Sequence, residues 1–162
     1  MEIYLLRHGI AEDGKPGLDD ADRALTAEGR RKLRQVLRVA ADADLRPDLI
    51  FSSSLKRALQ TSEIAKEALG YKDRIFQTDA LTPGSSPEHV WHEVRAHKDA
   101  GSLMLVGHNP LFAQLAAYFL GSSEVQVDFK KGAIMRIDFD SFPARPRGIL
   151  RWYLTARLTG KE

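Results

Sequence analysis

Short, continuous apolar runs recur along this chain, and a segment with helical spacing follows most of them. The clearest runs are Ile3 to Leu6, Leu49 to Phe51 and Leu103 to Val106, and Arg74 to Gln77 is predicted to be a further short strand with two apolar residues at its centre. Apolar runs without polar alternation are typical of strands buried on both faces, and such strands pair in parallel between two layers of helices. The pattern therefore predicts an α/β fold: a three-layer sandwich with a mixed, mainly parallel sheet and helices on both faces.

Capping residues predict where the helices between these strands begin. Small polar side chains accept hydrogen bonds from the free N–H groups of a first helical turn, and proline fits the first helical position. The predicted helices run from Thr26 to about Asp44, from the serines Ser52, Ser53 and Ser54 to near Gly70, from Ser86 and Pro87 onward, and from Asn109 and Pro110 to Gly121. Ser85 with Glu88 offers a competing start for the third helix, as a capping box.

The last third of the chain changes character, because strand-like segments follow one another there without helices. Val125 to Phe129 and Ala133 to Phe139 flank a Lys-Lys-Gly turn and are predicted to form a hairpin, and Ile149 to Thr155 is predicted to form a last strand. Ahead of the first helix, Ile10 to Leu25 is predicted to be a long loop of the kind that often carries function. We expect residues 1–162 to form a single domain.

Composition argues against several classes of function. The chain has 162 residues, a net charge of +2 and no cysteine. Without cysteine there is no disulfide, no thiolate metal site and no cysteine nucleophile. No block of like charges indicates a nucleic-acid or membrane surface, and we find neither a leader-like segment nor an apolar stretch with the length of a membrane span. We therefore expect a cytoplasmic protein that binds neither nucleic acid nor membrane.

Arg7, His8 and Gly9 stand directly after the first apolar run. In an open α/β sheet, ligands collect at the carboxyl ends of the strands, which is where these residues are expected. A guanidinium, an imidazole and a glycine that allows close backbone approach together suit an anionic ligand such as a phosphoryl group. Taken alone, an arginine and a histidine at the end of a strand are more often ordinary surface residues.

Two further residues are predicted to reach the same edge of the sheet. Arg57 falls in the first turn of the second helix, and His108 follows the fourth apolar run. The guanidinium groups and His108 would donate to phosphoryl oxygens, and His8 would be the nucleophile. Neighbouring cations disfavour the imidazolium, so we expect a neutral His8 whose single ring N–H donates to a backbone carbonyl near Gly9, which leaves the other ring nitrogen free. Asn109 is predicted to cap a helix, and the alternative is that its side chain faces the pocket.

These motifs resemble the histidine phosphatase superfamily, whose fold is also called phosphoglycerate mutase-like. The matching segments are Arg7-His8-Gly9, Arg23-Ala24-Leu25-Thr26 with Gly29, Ser52-Ser53 with Arg57-Ala58-Leu59-Gln60-Thr61, and Gly107-His108-Asn109-Pro110. Two further segments resemble the branch of small phosphohistidine phosphatases named SixA: Leu81-Thr82-Pro83, and Phe129 followed by Gly132-Ala133-Ile134.

The resemblance implies that His8 carries the phosphoryl group in a phosphohistidine intermediate, and that Arg7, Arg57 and His108 complete the phosphate pocket. Gly9 and Asn109 are further candidates for phosphate contacts. Neither a metal nor an organic cofactor is implied. The implied partner is a protein that bears a phosphohistidine, such as a histidine phosphotransfer domain or a phosphocarrier of a bacterial-type signalling system.

The place where larger relatives carry a general acid holds none in this chain. They have a glutamate or aspartate after the third strand, whereas this chain reads Ala80-Leu81-Thr82-Pro83 there. A general acid typically contributes about 10²–10⁴-fold, which matters more for an alkyl phosphate ester than for a P–N bond, because a protonated imidazole leaves readily. The alternative proton donors are Asp79, Glu88 and the loop aspartates Asp19, Asp20 and Asp22.

Two other functions stay open from the sequence. One is a small-molecule phosphomonoesterase that uses an aspartate of the Ile10 to Leu25 loop as its acid, and the other is a non-catalytic phosphate-binding module. The remaining histidines, His89, His92 and His97, lie in the third helix without the spacing of a zinc site, so we predict no metal there.

Overall fold

The computed structural model describes residues 1–160, in which six strands form one sheet. Their bounds are β1 Glu2–Arg7, β2 Leu49–Ser52, β3 Ile75–Gln77, β4 Ser102–Gly107, β5 Ile134–Asp138 and β6 Ile149–Leu154. The spatial order is β3-β2-β4-β1-β5-β6. Strands β3, β2, β4 and β1 are parallel, whereas β5 runs antiparallel to both β1 and β6. The predicted mixed, mainly parallel sheet is confirmed.

Helices cover both faces of the sheet, which confirms the three-layer α/β sandwich. Their bounds are α1 Ala27–Asp42, α2 Lys56–Leu69, α3 Pro87–Ala96, α4 Leu111–Phe119 and α5 Ala156–Thr159, with short 3₁₀ turns at Asp20–Asp22 and Asp79–Leu81. Helices α1 and α2 pack with Leu6 and Met104 on one face, and α3 and α4 pack with Leu5 and Leu105 on the other. Because successive strand residues point to opposite faces, each buried strand contributes to both cores. Within residues 1–160, no helix is both long and apolar enough to cross a membrane.

Two of the predicted helix starts are confirmed. Thr26 caps α1 and Ser86 caps α3, each by accepting a hydrogen bond from a backbone N–H of the first turn. The competing start of α3, Ser85 with Glu88, is therefore not the one used. Helix α1 ends at Asp42, slightly earlier than expected.

The serine cap predicted for α2 is wrong. Leu55 holds the cap position, and no side-chain hydrogen bond caps this helix. Ser52 is instead the last residue of β2, and Ser53 lies in the turn, where its Oγ accepts from Leu55 N at 3.3 Å. Both serines are fully buried, so their hydroxyl groups serve contacts inside the protein.

Helix α4 begins one residue later than predicted. Pro110 holds the cap position and Leu111 is the first helical residue. The Asn109 side chain still satisfies the helix end, because its Oδ1 accepts a hydrogen bond from Ala113 N at 3.2 Å.

The predicted hairpin of Val125 to Phe129 with Ala133 to Phe139 is also wrong. The second segment forms β5, whereas residues 125–129 form no strand. Strands β1 and β6 occupy both edges of β5, so no edge is left for the segment that precedes it. Phe129 is buried instead, and its carbonyl accepts side-chain hydrogen bonds at the edge of the sheet. The predicted last strand is confirmed as β6, while α5 was not indicated by the sequence pattern.

Gly29 is a residue of α1 that leaves no room for a side chain. A Cβ built there would lie 2.2 Å from the carbonyl oxygen of Ile10, which is itself held by the Thr26 N–H. We expect Gly29→Ala to lower the free energy of unfolding by about 1–3 kcal/mol, despite the higher helix propensity of alanine, because backbone has to shift.

Gly14→Ala is the matched control, since a Cβ at Gly14 meets no atom within 4 Å. We expect this control to change the free energy of unfolding by less than about 0.5 kcal/mol. Urea unfolding followed by circular dichroism measures both variants. Equal stabilities would show that the approach of α1 to Ile10 imposes no constraint.

Candidate active site

Neighbouring parallel strands end at the same edge of the sheet, and the residues that follow them form a buried polar cluster. In the register of β1 and β4, Arg7 lies opposite Gly107. The next residues along the two strands, His8 and His108, therefore come side by side. Their imidazole centroids are 5.0 Å apart, and the side chains are buried, with 5% and 2% of each residue exposed. The predicted convergence of the two histidines is present.

The backbone holds the His8 ring in one tautomer. Nδ1 lies 2.7 Å from the Gly9 carbonyl oxygen, which can only accept, so Nδ1 carries the proton and Nε2 keeps its lone pair. Burial, reinforced by the charges of Arg57 and Arg7 and partly opposed by the bond to Gly9, lowers the pKa of His8 to about 4. The predicted neutral ring and its backbone acceptor are confirmed. The prediction was based on the neighbouring cations, but burial lowers the pKa of His8 more than they do.

Arg7 ends β1, and its guanidinium is anchored by a backbone carbonyl. Nη1 donates to the Phe129 carbonyl at 2.6 Å, and Asn109 Nδ2 donates to the same oxygen at 3.2 Å. Burial lowers the pKa of Arg7 from its ordinary value, but an arginine remains charged at neutral pH. The Nε atom of Arg7 is buried and has no hydrogen-bond partner.

Arg57 reaches the cluster from the first turn of α2, as predicted. Its Nη1 donates to the Asp20 carbonyl at 2.8 Å, and its Nη2 donates to Asp20 Oδ2 at 3.1 Å. Thr61, one turn later, donates to the Arg57 carbonyl at 2.7 Å and accepts from Gly9 N at 3.2 Å. This link fixes α2 relative to the end of β1. The Nε atom of Arg57, like that of Arg7, is buried without a partner.

His108 is held from the opposite side by a serine. Its Nε2 lies 2.7 Å from Ser53 Oγ. Burial, followed by the influence of His8 and Arg57, lowers the pKa of His108 to about 3, so the ring is neutral at pH 7. The other ring nitrogen, Nδ1, is buried and has no partner.

Three buried side-chain nitrogens lack a hydrogen-bond partner in the part of the chain that the structure describes, and all three belong to this cluster. They are Arg7 Nε, Arg57 Nε and His108 Nδ1. A buried polar group left unpaired costs about 1–3 kcal/mol, so such groups mark a place where a ligand supplies the partner atoms. A tetrahedral oxyanion offers several acceptor oxygens and a charge that two guanidinium groups complement. The cluster therefore suits a phosphoryl group beside His8.

Gly9 and Asn109 lie next to the cluster, but their polar groups are already engaged. The N–H and the carbonyl of Gly9 are bonded to the side chains of Thr61 and His8. The amide of Asn109 bonds the Phe129 carbonyl and a backbone N–H of α4. Both residues thus position their neighbours, and direct phosphate contacts by them stay a prediction.

Sequence reasoning missed three groups that build the site. The Phe129 carbonyl carries no side-chain signal, and the wrong hairpin placed it in a strand. Thr61 was named only as part of a motif that matches the superfamily, although a hydroxyl one turn after Arg57 is a usable signal. Ser53 was expected only as a helix cap.

Asp20 is the loop aspartate that contacts the cluster. It forms ion pairs with Arg57 at 3.1 Å and with Arg23 at 3.0 Å. Burial alone would raise the pKa of Asp20, but the hydrogen bond and charge of Arg57 outweigh it and lower the pKa. Asp20 is therefore an anion at neutral pH. Within residues 1–160, no three His, Asp or Glu side chains are grouped so as to hold a metal ion.

Known proteins share both the motifs and the fold of this chain. Residues 3–82 match the sequence model of the histidine phosphatase superfamily, branch 1. An uncharacterised protein from a Picosynechococcus strain is 34% identical over 137 residues, which cover 83% of each chain.

Solved structures extend the likeness to nearly the whole chain. The protein histidine phosphatase SixA, solved as a complex with tungstate, has a TM-score of 0.88 at 22% identity, covering 98% of this chain and 99% of its own. A phosphohistidine phosphatase SixA candidate from Agrobacterium tumefaciens has a TM-score of 0.82 at 29% identity, covering 95% and 97%. An α-ribazole phosphatase from Shigella flexneri shares the fold, with a TM-score of 0.70 at 19% identity over 100% of both chains.

The chain belongs to the histidine phosphatase superfamily and is a phosphatase. Within that superfamily it falls in the SixA-type branch. The predicted superfamily, branch and hydrolase class are confirmed.

The two buried histidines make the stability of the fold depend on pH. An unfolded histidine binds a proton below about pH 6.5, whereas folded His8 and His108 stay neutral down to about pH 4 and 3. Because the unfolded state binds more protons in this range, the free energy of unfolding should fall as the pH drops from about 6.5 to about 4. We expect His108→Gln to reduce that fall by at least about 1.4 kcal/mol, the equivalent of one pKa unit.

Urea unfolding at a series of pH values across this range measures the effect. His92→Gln, at an exposed histidine of α3, is the control and should retain the wild-type pH dependence. A fall of equal size in wild type and His108→Gln would contradict a neutral, buried His108.

Proposed function

We propose that this phosphatase removes the phosphoryl group from a phosphohistidine of a signalling or phosphotransfer protein, such as a histidine phosphotransfer domain or a phosphocarrier. The observation that carries the proposal is the free Nε2 of a neutral His8 beside three buried side-chain nitrogens that lack hydrogen-bond partners. The 29% identity with the SixA candidate from Agrobacterium tumefaciens supports the substrate class. In this proposal residues 1–162 act as one histidine phosphatase domain.

The reaction consists of two displacements at phosphorus. In the first, the Nε2 lone pair of His8 forms an N–P bond, and the bond from phosphorus to the substrate imidazole breaks. That imidazole has already taken a proton from solvent on its other nitrogen, so it receives the electron pair and leaves as a neutral ring. In the second, water attacks the phosphorus, the electron pair of the N–P bond returns to His8, and inorganic phosphate leaves.

The side chains around His8 stabilise the charge on the transferred group. Arg7 and Arg57 supply guanidinium N–H groups to its oxygens, and His108 supplies a ring N–H. Donors that are fixed in a buried site need no reorganisation during the reaction, and removal of one typically costs about 10²–10³ in rate. The Phe129 carbonyl holds the guanidinium of Arg7 in place, and Asp20 holds that of Arg57.

The supply of protons favours a phosphohistidine over an alkyl phosphate ester. An alkoxide leaving group gains about 10²–10⁴ in rate from a general acid. Asp20 is ionised and paired with Arg57, so it holds no proton to donate. A phosphorylated imidazole that is protonated by solvent leaves without such help, and the site as built is sufficient for it.

The approach to the cluster also suits a substrate that is mounted on a protein. The Asp20 side chain is 61% exposed while it contacts the Arg57 side chain, which is 7% exposed. Solvent therefore reaches the mouth of the cluster on the side of the loop between β1 and α1. A histidine on the surface of a partner protein is able to enter from that side.

A small-molecule phosphomonoesterase is the second candidate, and the position of Asp20 favours it. Asp20 lies beside a phosphate-binding arginine, which is where a proton donor for a leaving oxygen would have to be. This role needs a protonated Asp20, and the lowered pKa of that carboxyl opposes it. The third candidate, a binding module without turnover, leaves the free Nε2 of His8 unexplained.

Covalent transfer to His8 is the direct test of the proposal. We expect a carrier protein labelled in its phosphohistidine to lose its phosphate and to leave an acid-labile label on the phosphatase. His8→Ala should show neither, because it lacks the nucleophile. Small phosphate esters, assayed in parallel with and without a chelator, should react much more slowly. Rapid ester hydrolysis without action on the carrier would contradict the substrate, and turnover without a label on His8 would contradict the covalent route.

Asp20→Asn separates the two catalytic candidates. Asparagine keeps the size of the side chain and the backbone contact to Arg57, but it has neither the charge nor an acidic proton. We expect turnover of the phosphorylated carrier to stay within about tenfold of wild type, whereas loss of a true general acid would cost about 10²–10⁴. Asp19→Asn, at the exposed neighbouring residue, is the matched control. A loss of a hundredfold or more for Asp20→Asn alone would support the esterase.

A further inference from the structure

Ser53 contacts His108 of the buried cluster but has no part in the reaction described so far. It follows β2, the strand that pairs with β4, and its N–H donates to the Val106 carbonyl at 3.0 Å. The residue is fully buried, and its Oγ lies 2.7 Å from Nε2 of His108. Among the described residues, the His108 ring is hydrogen-bonded through Nε2 alone, because Nδ1 has no partner.

Counting donors and acceptors decides which atom donates in this contact. A serine hydroxyl has one proton to donate and two lone pairs, and a neutral imidazole has one N–H and one acceptor nitrogen. The Leu55 N–H already donates to Ser53 Oγ at 3.3 Å. If Nε2 also donated to Oγ, the Ser53 proton would lack an acceptor and His108 Nδ1 would be a buried lone pair facing the site of an anion.

If the Ser53 hydroxyl donates to His108 instead, every donor and acceptor of the two side chains but one has a hydrogen-bond partner. The Ser53 hydroxyl accepts from Leu55 and donates to Nε2 of His108, which places the ring proton on Nδ1. Nδ1–H is then a buried donor without an acceptor, beside the two unpaired Nε–H groups of Arg7 and Arg57. An oxygen of a phosphoryl group supplies the missing acceptor.

We propose that Ser53 is a positioning residue for the reaction: its hydroxyl donates to Nε2 of His108 and holds that ring in the tautomer whose Nδ1–H donates to the phosphoryl group. This role rests on the proposed function, because it assumes that a phosphoryl group binds beside His8. Each of the two histidines is then assigned a fixed tautomer by its neighbour, His8 by the Gly9 carbonyl and His108 by Ser53.

Ser52 provides a control in the same buried surroundings. It is as fully buried as Ser53, but its Oγ donates to the backbone carbonyl of Ser53 at 2.8 Å and makes no contact with a histidine. Removing either hydroxyl creates a similar small defect in the core. Only the loss of the Ser53 hydroxyl releases the His108 ring.

The experiment compares wild type, Ser53→Ala and Ser52→Ala in protein labelled with ¹⁵N in its histidines. Proton–nitrogen correlation spectra of the ligand-free protein at pH 7 report which nitrogen of His108 carries the proton. We expect a proton on Nδ1 in wild type and Ser52→Ala, and a mixture with Nε2–H in Ser53→Ala. Turnover of the phosphorylated carrier should fall about tenfold or more in Ser53→Ala and stay within about threefold in Ser52→Ala, because only the former weakens one donor to the transferred group.

The spectrum of the wild-type protein decides the matter even if a variant fails to fold. A proton on Nε2 of His108 in wild type would overturn the proposal, and so would an unchanged tautomer in a folded Ser53→Ala. Ser53→Thr, which restores the hydroxyl, should return the Nδ1–H signal. If the tautomers are as expected but wild type does not act on the phosphorylated carrier, the assignment of Ser53 to His108 stands and the proposed function fails.

Discussion

The register of β1 against β4 is the constraint on which the site depends. Arg7 pairs with Gly107, and the residues directly beyond that pair are His8 and His108. A slip of one residue would exchange the two faces of a strand and separate the imidazoles. The register is in turn determined by burial, because all six residues of β4 are buried and an exchange of faces would disturb both cores at once. Residues far apart in the chain are thus brought together by the pairing of apolar strands.

Burial also determines the chemistry at this edge. Two histidines stay neutral beside two arginines because water is excluded and the cations oppose further protonation. The result is an unusual combination of a free imidazole lone pair with strong positive charge around it. Asp20 balances part of that charge from the solvent side, where it holds Arg57 by both terminal nitrogens and leaves the Nε side of the guanidinium free.

Local sequence signals predicted the parts of this molecule that depend on local physics. The apolar runs, the Thr26 and Ser86 caps and the placement of Arg57 in a first helical turn all follow from neighbouring residues. The hairpin failed because strand pairing is not local: β5 is paired by β1, more than a hundred residues earlier in the chain. The deep burial of His8 could not be predicted from neighbouring residues for the same reason, because the segments that cover it meet only in the folded protein.

Crystallisation with orthovanadate tests whether His8 is the nucleophile of this site, because vanadate adopts the geometry of a phosphoryl group in transfer. We expect vanadium bonded to Nε2 of His8, with equatorial oxygens accepting hydrogen bonds from Arg7 Nε, Arg57 Nε and His108 Nδ1. Vanadate bound elsewhere, or bound in the cluster without a bond to His8 and without contact to these three nitrogens, would contradict this role of His8.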